Sequence, residues 1–164
     1  LELDQVLEDA PFLVLALDGI QDPQNFGAVV RSAVGLGNAP LLWGEHSSAP
    51  LSLATFRASA GAIEHARLCR VSSLRHALAD ARERGALVVG LDMRATNSLH
   101  EIELTGPTIL VVGGEHHGIS GSLRRVCTSF ARLARMTTIE SLNASVAAGI
   151  ALYEAEIQRM KSNV

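Results

Sequence analysis

Ile109-Leu110-Val111-Val112-Gly113-Gly114-Glu115-His116-His117-Gly118-Ile119-Ser120 is the stretch on which the reading of this 164-residue chain turns. An apolar run too short for a helix ends in paired glycines, and a helix-compatible segment follows. That is how a strand buried on both faces, running out into a glycine-rich loop, is written. Similar runs lie at Phe12–Leu17, Pro40–Trp43 and Ala86–Leu91, beside Thr108–Val112 itself. Helical patterns separate them. One runs from about Asn25 to Leu36, and one from Ser73 to Arg84 with Leu74, Ala77, Leu78 and Ala81 on one face. A weaker one lies near Ser52–Ala60. The longest runs from Ser141 to about Lys161, with Leu142, Val146, Ile150, Tyr153, Ile157 and Met160 recurring at three or four. The order β-α-β-α-β-α-β predicts an α/β fold, a mostly parallel sheet flanked by helices.

Composition narrows the class. Residues 1–164 suit a single domain, and 48% apolar with 19% charged residues excludes a disordered tail. Two cysteines, Cys69 and Cys127, form no disulfide framework, which predicts a cytoplasmic protein with reduced thiols. The formal charge of −3 excludes a strongly basic nucleic-acid coat. It still allows a local patch, since every basic residue but Lys161 is an arginine. No membrane span is expected, and Glu2, Asp4, Glu8 and Asp9 stand where a signal peptide would be basic. Leu1 in place of Met reads as part of a longer chain.

Ligands of open α/β sheets bind beyond the carboxyl ends of the strands, and three such ends have unusual sequence. Asp18 to Arg31 is a polar turn opening a helix. Asn25 can cap it, and Gly27 and Arg31 share a face on which a guanidinium could grip a phosphate or carboxylate. An ordinary cap and a solvated arginine are the alternative. The Gly113–Gly118 loop fails both nucleotide fingerprints: Ile119 replaces the Walker lysine and Glu115 the middle glycine of G-x-G-x-x-G. His116 and His117 beside Glu115 suggest a metal, but adjacent positions do not converge on one ion, so no metal is expected and a partly exposed turn is the other reading. In Leu133 to Ile150 a short strand or loop leads into the last helix, with Ser141 expected as its cap. Ser141, Asn143 and Ser145 are expected in its first turn. Ala144, Ala147, Ala148, Gly149 and Ala151 leave a flat surface for another helix. No G-x-S-x-G elbow surrounds Ser141.

Taken together, these segments resemble the SpoU (TrmH-like) branch of the SPOUT methyltransferases, RNA ribose 2′-O-methyltransferases that use S-adenosylmethionine. Asn25-Phe26-Gly27…Arg31 matches N-x-G-x-x-x-R. Leu110 to Ser120 matches L-V-x-G-x-E-x-x-G-[IL]-S. Ser141-Leu142-Asn143-Ala144-Ser145-Val146-Ala147-Ala148-Gly149-Ile150 matches the second half of the third motif, and Ser59-Ala60-Gly61-Ala62 resembles a smaller signature. The likeness covers about Phe12 to Met160. The chain departs from it at Leu133-Ala134-Arg135, where the family has Ile-Pro-Met, at Thr137, where it has Gly, and at His116.

The resemblance implies a SPOUT fold with a deep C-terminal trefoil knot, which composition could not have suggested. It implies a homodimer through the last helix with a shared active site, and a missing N-terminal RNA-binding domain to which residues 1–11 are a linker. Asn25, Arg31, Glu115, Ser141 and Asn143 would surround the target hydroxyl, with Arg31 as phosphate clamp and stabiliser of oxyanion charge. Backbone at Gly113, Gly114, Gly118, Leu133, Arg135 and Leu142 would hold S-adenosylmethionine without a metal. The partner would be structured RNA, rRNA ahead of tRNA, with a 23S rRNA guanosine as the expected target. A tRNA ribose methyltransferase and a non-catalytic RNA-binding relative are the alternatives. A dinucleotide enzyme and a metal hydrolase fit the loop less well.

Overall fold

Apolar runs without alternation demand cover on both faces, and the computed structural model supplies it: a six-stranded parallel sheet between two helical layers. It describes residues 1–46, 51–135, 138, 139 and 141–162. In chain order the elements are α1 (Leu3–Leu7), β1 (Leu13–Asp18), α2 (Pro23–Gly35), β2 (Leu41–Gly44), α3 (Leu53–Ala58), β3 (Leu68–Val71) and α4 (Leu74–Glu83). There follow β4 (Leu87–Leu91), β5 (Thr108–Gly113), α5 (Gly121–Arg124), β6 (Ser129–Ala131) and α6 (Ala144–Ser162). The strands lie in the order β3-β2-β1-β5-β4-β6. All six residues of β1 are buried. Leu13, Leu15 and Leu17 join a core with Phe26, Val29 and Val30 of α2 and Ala148 and Leu152 of α6. Val14 and Ala16 point the other way, into a core with Val6 and Leu7 of α1 and Leu74, Ala77 and Leu78 of α4.

Several boundaries differ from expectation. The cap of α2 is Asp22, which accepts from the Gln24 amide at 3.1 Å, with Pro23 in the first turn. Proline already lacks the hydrogen a helix start leaves unpaired, so Asn25 falls inside the first turn and its side chain is released from capping. The cap of α6 is Asn143, whose Oδ1 accepts from the Ser145 and Val146 amides at 2.9 and 3.4 Å; Ser141 lies before the helix. The segment expected as a linker carries α1, with Val6 and Leu7 buried. Edge strand β3 was not foreseen, and the short strand or loop expected near Leu133 is β6, which ends at Ala131.

The last helix packs through its small residues. Ala144, Ala148, Ala151, Leu152 and Ala155 face the core, and the helix that approaches their flat surface is the chain's own α2. Val146, Ile150 and Tyr153 remain 49%, 43% and 57% exposed, and Met160 is exposed as well.

Gly27 is where α2 and α3 meet: an added Cβ would lie 2.5 Å from the Ala58 Cβ and 2.7 Å from the Thr55 carbonyl oxygen. The close approach at this glycine is therefore to another helix. Gly27→Ala should lower unfolding free energy by about 1–3 kcal/mol. Gly35→Ala, with nothing within 4 Å of the new methyl, should be neutral or stabilise by up to about 1 kcal/mol. Urea unfolding of the pair checks this, and equal losses would remove helix contact as the cause.

Candidate active site

In the order β3-β2-β1-β5-β4-β6 the chain leaves β1 toward β2 and leaves β5 toward β6, in opposite directions. A crevice opens where neighbouring strands diverge in this way. Asp18 pairs with Gly113 at its floor. The Gly114 amide donates to the Asp18 carbonyl at 2.8 Å, and the Ser120 amide donates to Asp18 Oδ2 at 2.7 Å. Asp18, nearly buried, thus ties both ends of the loop that follows β5 to the end of β1. The Gly118 amide closes that loop on the Gly114 carbonyl at 3.0 Å. A side chain at Gly113 would collide with the Gly118 carbonyl, and one at Gly114 would lie 2.7 Å from the Gly19 oxygen.

Above this floor three side chains from distant segments converge. Glu115 Oε1 accepts from Asn25 Nδ2 and from Asn143 Nδ2, each at 2.7 Å, and Asn143 Nδ2 also donates to Asn25 Oδ1 at 3.1 Å. The N-terminal turn of α2, the loop after β5 and the cap of α6 are joined by one carboxylate oxygen. Among the described residues, one Asn25 N–H and Glu115 Oε2 have no partner.

Beside the triad is a cavity of about 730 Å³, in the range of small-ligand sites. Its walls are three loops at the carboxyl ends of neighbouring strands: residues 91–95 after β4, residues 112–119 around the end of β5, and Leu133, Ser141 and Leu142 after β6. Phe130, Leu91 and Ile119 make part of the wall apolar. On one side Arg124 pairs with Asp92 at 2.9 Å and lies 4.2 Å over the Phe130 ring. Burial pushes the Asp92 carboxyl up, but the Arg94 amide and the Arg124 guanidinium together outweigh it and hold it below the ordinary carboxylate value.

Of the expected site residues, Asn25, Glu115 and Asn143 come together, and Ser141, Gly113, Gly114, Gly118, Leu133 and Leu142 line the cavity. Arg31 does not join them. It is exposed, six residues beyond Asn25 on another face of α2, and outside the cavity wall. Arg135 is exposed and also outside the wall, because the chain beyond β6 turns it to solvent. Thr137 lies outside the described residues. Asp18 and Asp92 were missed; only the position of Asp18 at a strand end could have signalled a role. Among the described residues no three His, Cys, Asp or Glu side chains converge as a metal site, and no helix is long and apolar enough to cross a membrane.

A parallel sheet with a nucleoside-sized cavity at its switch point is an architecture shared by many ligand-binding proteins. The sequence profile of the SpoU rRNA Methylase family matches residues 12–153, so the chain belongs to that family. An uncharacterized tRNA/rRNA methyltransferase of Mycobacterium ulcerans is 38% identical over 157 residues, 96% of this chain and 51% of that protein. The chain therefore spans about half the length of such curated relatives. The SpoU methyltransferase AviRb of Streptomyces viridochromogenes, solved with its cofactor AdoMet, superposes with a TM-score of 0.88 at 29% identity, over 97% of this chain and 65% of that one. A TrmH/SpoU tRNA modifying enzyme of A. aeolicus gives 0.83 at 27% identity, over 98% and 82%.

Two stability measurements test the scaffold. Asp18→Ala strands the Ser120 amide and should cost about 1–3 kcal/mol, with Asp18→Asn costing less because an acceptor oxygen remains. Asp92 has a lowered folded value, so its charge stabilises the fold above the ordinary carboxylate pKa of about 3.9, and the contribution fades as pH falls through the lowered one. Asp92→Asn should melt earlier than the unmodified protein at neutral pH, and the difference should shrink as pH falls below the ordinary carboxylate value.

Proposed function

We propose that this chain carries the catalytic site of an S-adenosylmethionine-dependent RNA ribose 2′-O-methyltransferase, acting in the cytoplasm on structured RNA. The observation that carries the reading is the Glu115 oxygen held by two asparagine amides at the mouth of the cavity. Family membership and the AdoMet-bound neighbour support the choice of cofactor. The cavity suits that molecule: its apolar wall and Phe130 can take a purine, while backbone around Gly113, Gly118, Leu133 and Leu142 offers hydrogen bonds at close approach. A deep knot formed by the segments after β5 and β6 belongs to the same proposal.

When bound, the donor supplies a methyl group already activated by its sulfonium. The protein's task is alignment and disposal of one proton. A ribose hydroxyl both donates and accepts. The unpartnered Asn25 N–H can donate to its oxygen and Glu115 Oε2 can accept from its hydrogen. Asn143, whose Oδ1 is taken by the Ser145 and Val146 amides, holds Glu115 in place. The Asn25 amide also opposes charge building on the oxygen.

Dimerisation through α6 fits the exposed row Val146, Ile150 and Tyr153, which starts three residues beyond Asn143. Arg31 lies at the rim of this face, since its neighbour Ser32 abuts Gly149 of α6. In a dimer with a shared site, Arg31 would serve as phosphate clamp across the interface. rRNA is the preferred substrate, with a 23S rRNA guanosine as the specific expectation and tRNA as the second reading, which the A. aeolicus neighbour supports.

Mapping ribose methylation in total RNA from cells with and without the gene tests the proposal: one 2′-O-methyl mark should vanish, and an unchanged map refutes it. Asn25→Ala should lower turnover by about 10²-fold with donor affinity kept. Arg31→Lys at full activity would remove the bidentate clamp. Charged replacements of Val146 and Ile150 should yield monomers in sedimentation analysis.

A further inference from the structure

S-adenosylmethionine has two chemically different ends, a nucleoside and an α-amino acid. The apolar wall and the loop backbone of the cavity suit the nucleoside. The amino-acid end is a zwitterion, and it needs a cation for its carboxylate and an anion for its ammonium. Among the described residues, the carboxylates and guanidinium groups lining the cavity are those of Asp92, Glu115, Arg94 and Arg124. Glu115 is held by Asn25 and Asn143, and Arg94 is exposed with no acceptor fixing its guanidinium. Asp92 and Arg124 differ from both, because several elements of the fold set their positions.

Asp92 is the first residue beyond β4, and its amide donates to the Ala131 carbonyl of β6 at 2.9 Å. The Arg94 amide donates to Asp92 Oδ1 at 2.9 Å, and Arg124 Nη1 pairs with Asp92 Oδ2 at 2.9 Å. The guanidinium also rests 4.2 Å from the centre of the Phe130 ring, a cation–π contact. Phe130 pairs with Gly90 across β4 and β6, and a Cβ at Gly90 would lie 2.7 Å from the ring. The missing side chain at Gly90 thus admits Phe130, Phe130 carries Arg124, and Arg124 and Asp92 hold each other. Neither charge is used up by this arrangement. Among the described residues no acceptor takes Arg124 Nε or Nη2. Each Asp92 oxygen accepts one bond and keeps a further lone pair. A guanidinium fork therefore stands beside a carboxylate in the cavity wall, oriented before any ligand arrives, so little ordering is left to oppose binding.

We propose that the Arg124–Asp92 pair seats the amino-acid end of the methyl donor, with Arg124 taking its carboxylate and Asp92 its ammonium. The two charges of the wall are then matched in sign and order by the two charges of the ligand. This rests on the methyl-transfer reading and adds to it the residues that distinguish the whole donor from a bare nucleoside.

Calorimetry on the unmodified protein, Arg124→Met, Arg124→Lys and Asp92→Asn tests this. The probes are S-adenosylmethionine, its decarboxylated form, S-adenosylhomocysteine and 5′-methylthioadenosine. The last two are both neutral thioethers and differ only in the amino-acid end. The unmodified protein should bind S-adenosylhomocysteine about 10- to 100-fold more tightly than 5′-methylthioadenosine. Arg124→Met should lose a similar factor for S-adenosylmethionine and S-adenosylhomocysteine, and should not weaken 5′-methylthioadenosine or the decarboxylated donor. Arg124→Lys should recover part of the loss. Asp92→Asn should weaken every probe except 5′-methylthioadenosine. Kept affinity for that probe is the readout that a merely structural role would not give. An equal loss for all probes in Arg124→Met overturns the proposal, as does no loss for any. A loss for 5′-methylthioadenosine in Asp92→Asn also overturns it, by putting that carboxylate on the nucleoside. Equal binding of S-adenosylhomocysteine and 5′-methylthioadenosine by the unmodified protein overturns it while leaving the methyl-transfer reading in place. No binding of S-adenosylmethionine by the unmodified protein removes that reading, and this inference with it.

Discussion

Six registered pairs between β1 and β5, from Leu13↔Thr108 to Asp18↔Gly113, hold together two segments that are far apart in the chain. Parallel neighbours of this kind are separated by long loops, and closing them costs entropy that only burial can offset. Both strands are almost wholly apolar and buried on both faces, and that supplies the offset. With these strands in register, the backbone at Gly114 meets the backbone at Gly19, and the loops that continue each strand have no freedom to separate. The Glu115 carboxylate near the start of one loop and the Asn25 amide just after the other become neighbours as a consequence of sheet register.

The strands were readable because burial on both sides leaves an unmistakable run of Val, Ile and Leu. Such runs fail at the sheet's edges. Leu68-Cys69-Arg70-Val71 and Ser129-Phe130-Ala131 are short and half-exposed, and an edge strand needs only one good neighbour. The site was legible to the extent that its members sit at strand ends and helix starts. Motif and position located Glu115, Asn25 and Asn143, but the reading gave Asn25 and Ser141 the capping tasks that Asp22 and Asn143 perform. Ambiguities of two or three residues at helix starts decide which side chain is spent on backbone and which is free for chemistry.

The last helix misled for a different reason. Periodicity finds large apolar side chains, and in a monomer those normally face inward. Here the inward stripe is Ala144, Ala148, Ala151 and Ala155 with Leu152, because α2 and the sheet lie too close to admit larger groups. Two stripes of opposite size therefore share one helix, and size alone does not say which belongs to the core. Arg31 belongs to the same lesson: spacing put it on a face with Gly27, but that glycine is filled by α3, so the arginine looks outward.

Asn143 begins α6 with its oxygen and reaches Glu115 with its nitrogen. The first turn of that helix and the reactive corner consequently share a single hinge point and would fray as a unit. Amide hydrogen exchange at Ser145 and Val146 would thus clock how often the corner comes apart, well before the strands beneath it loosen.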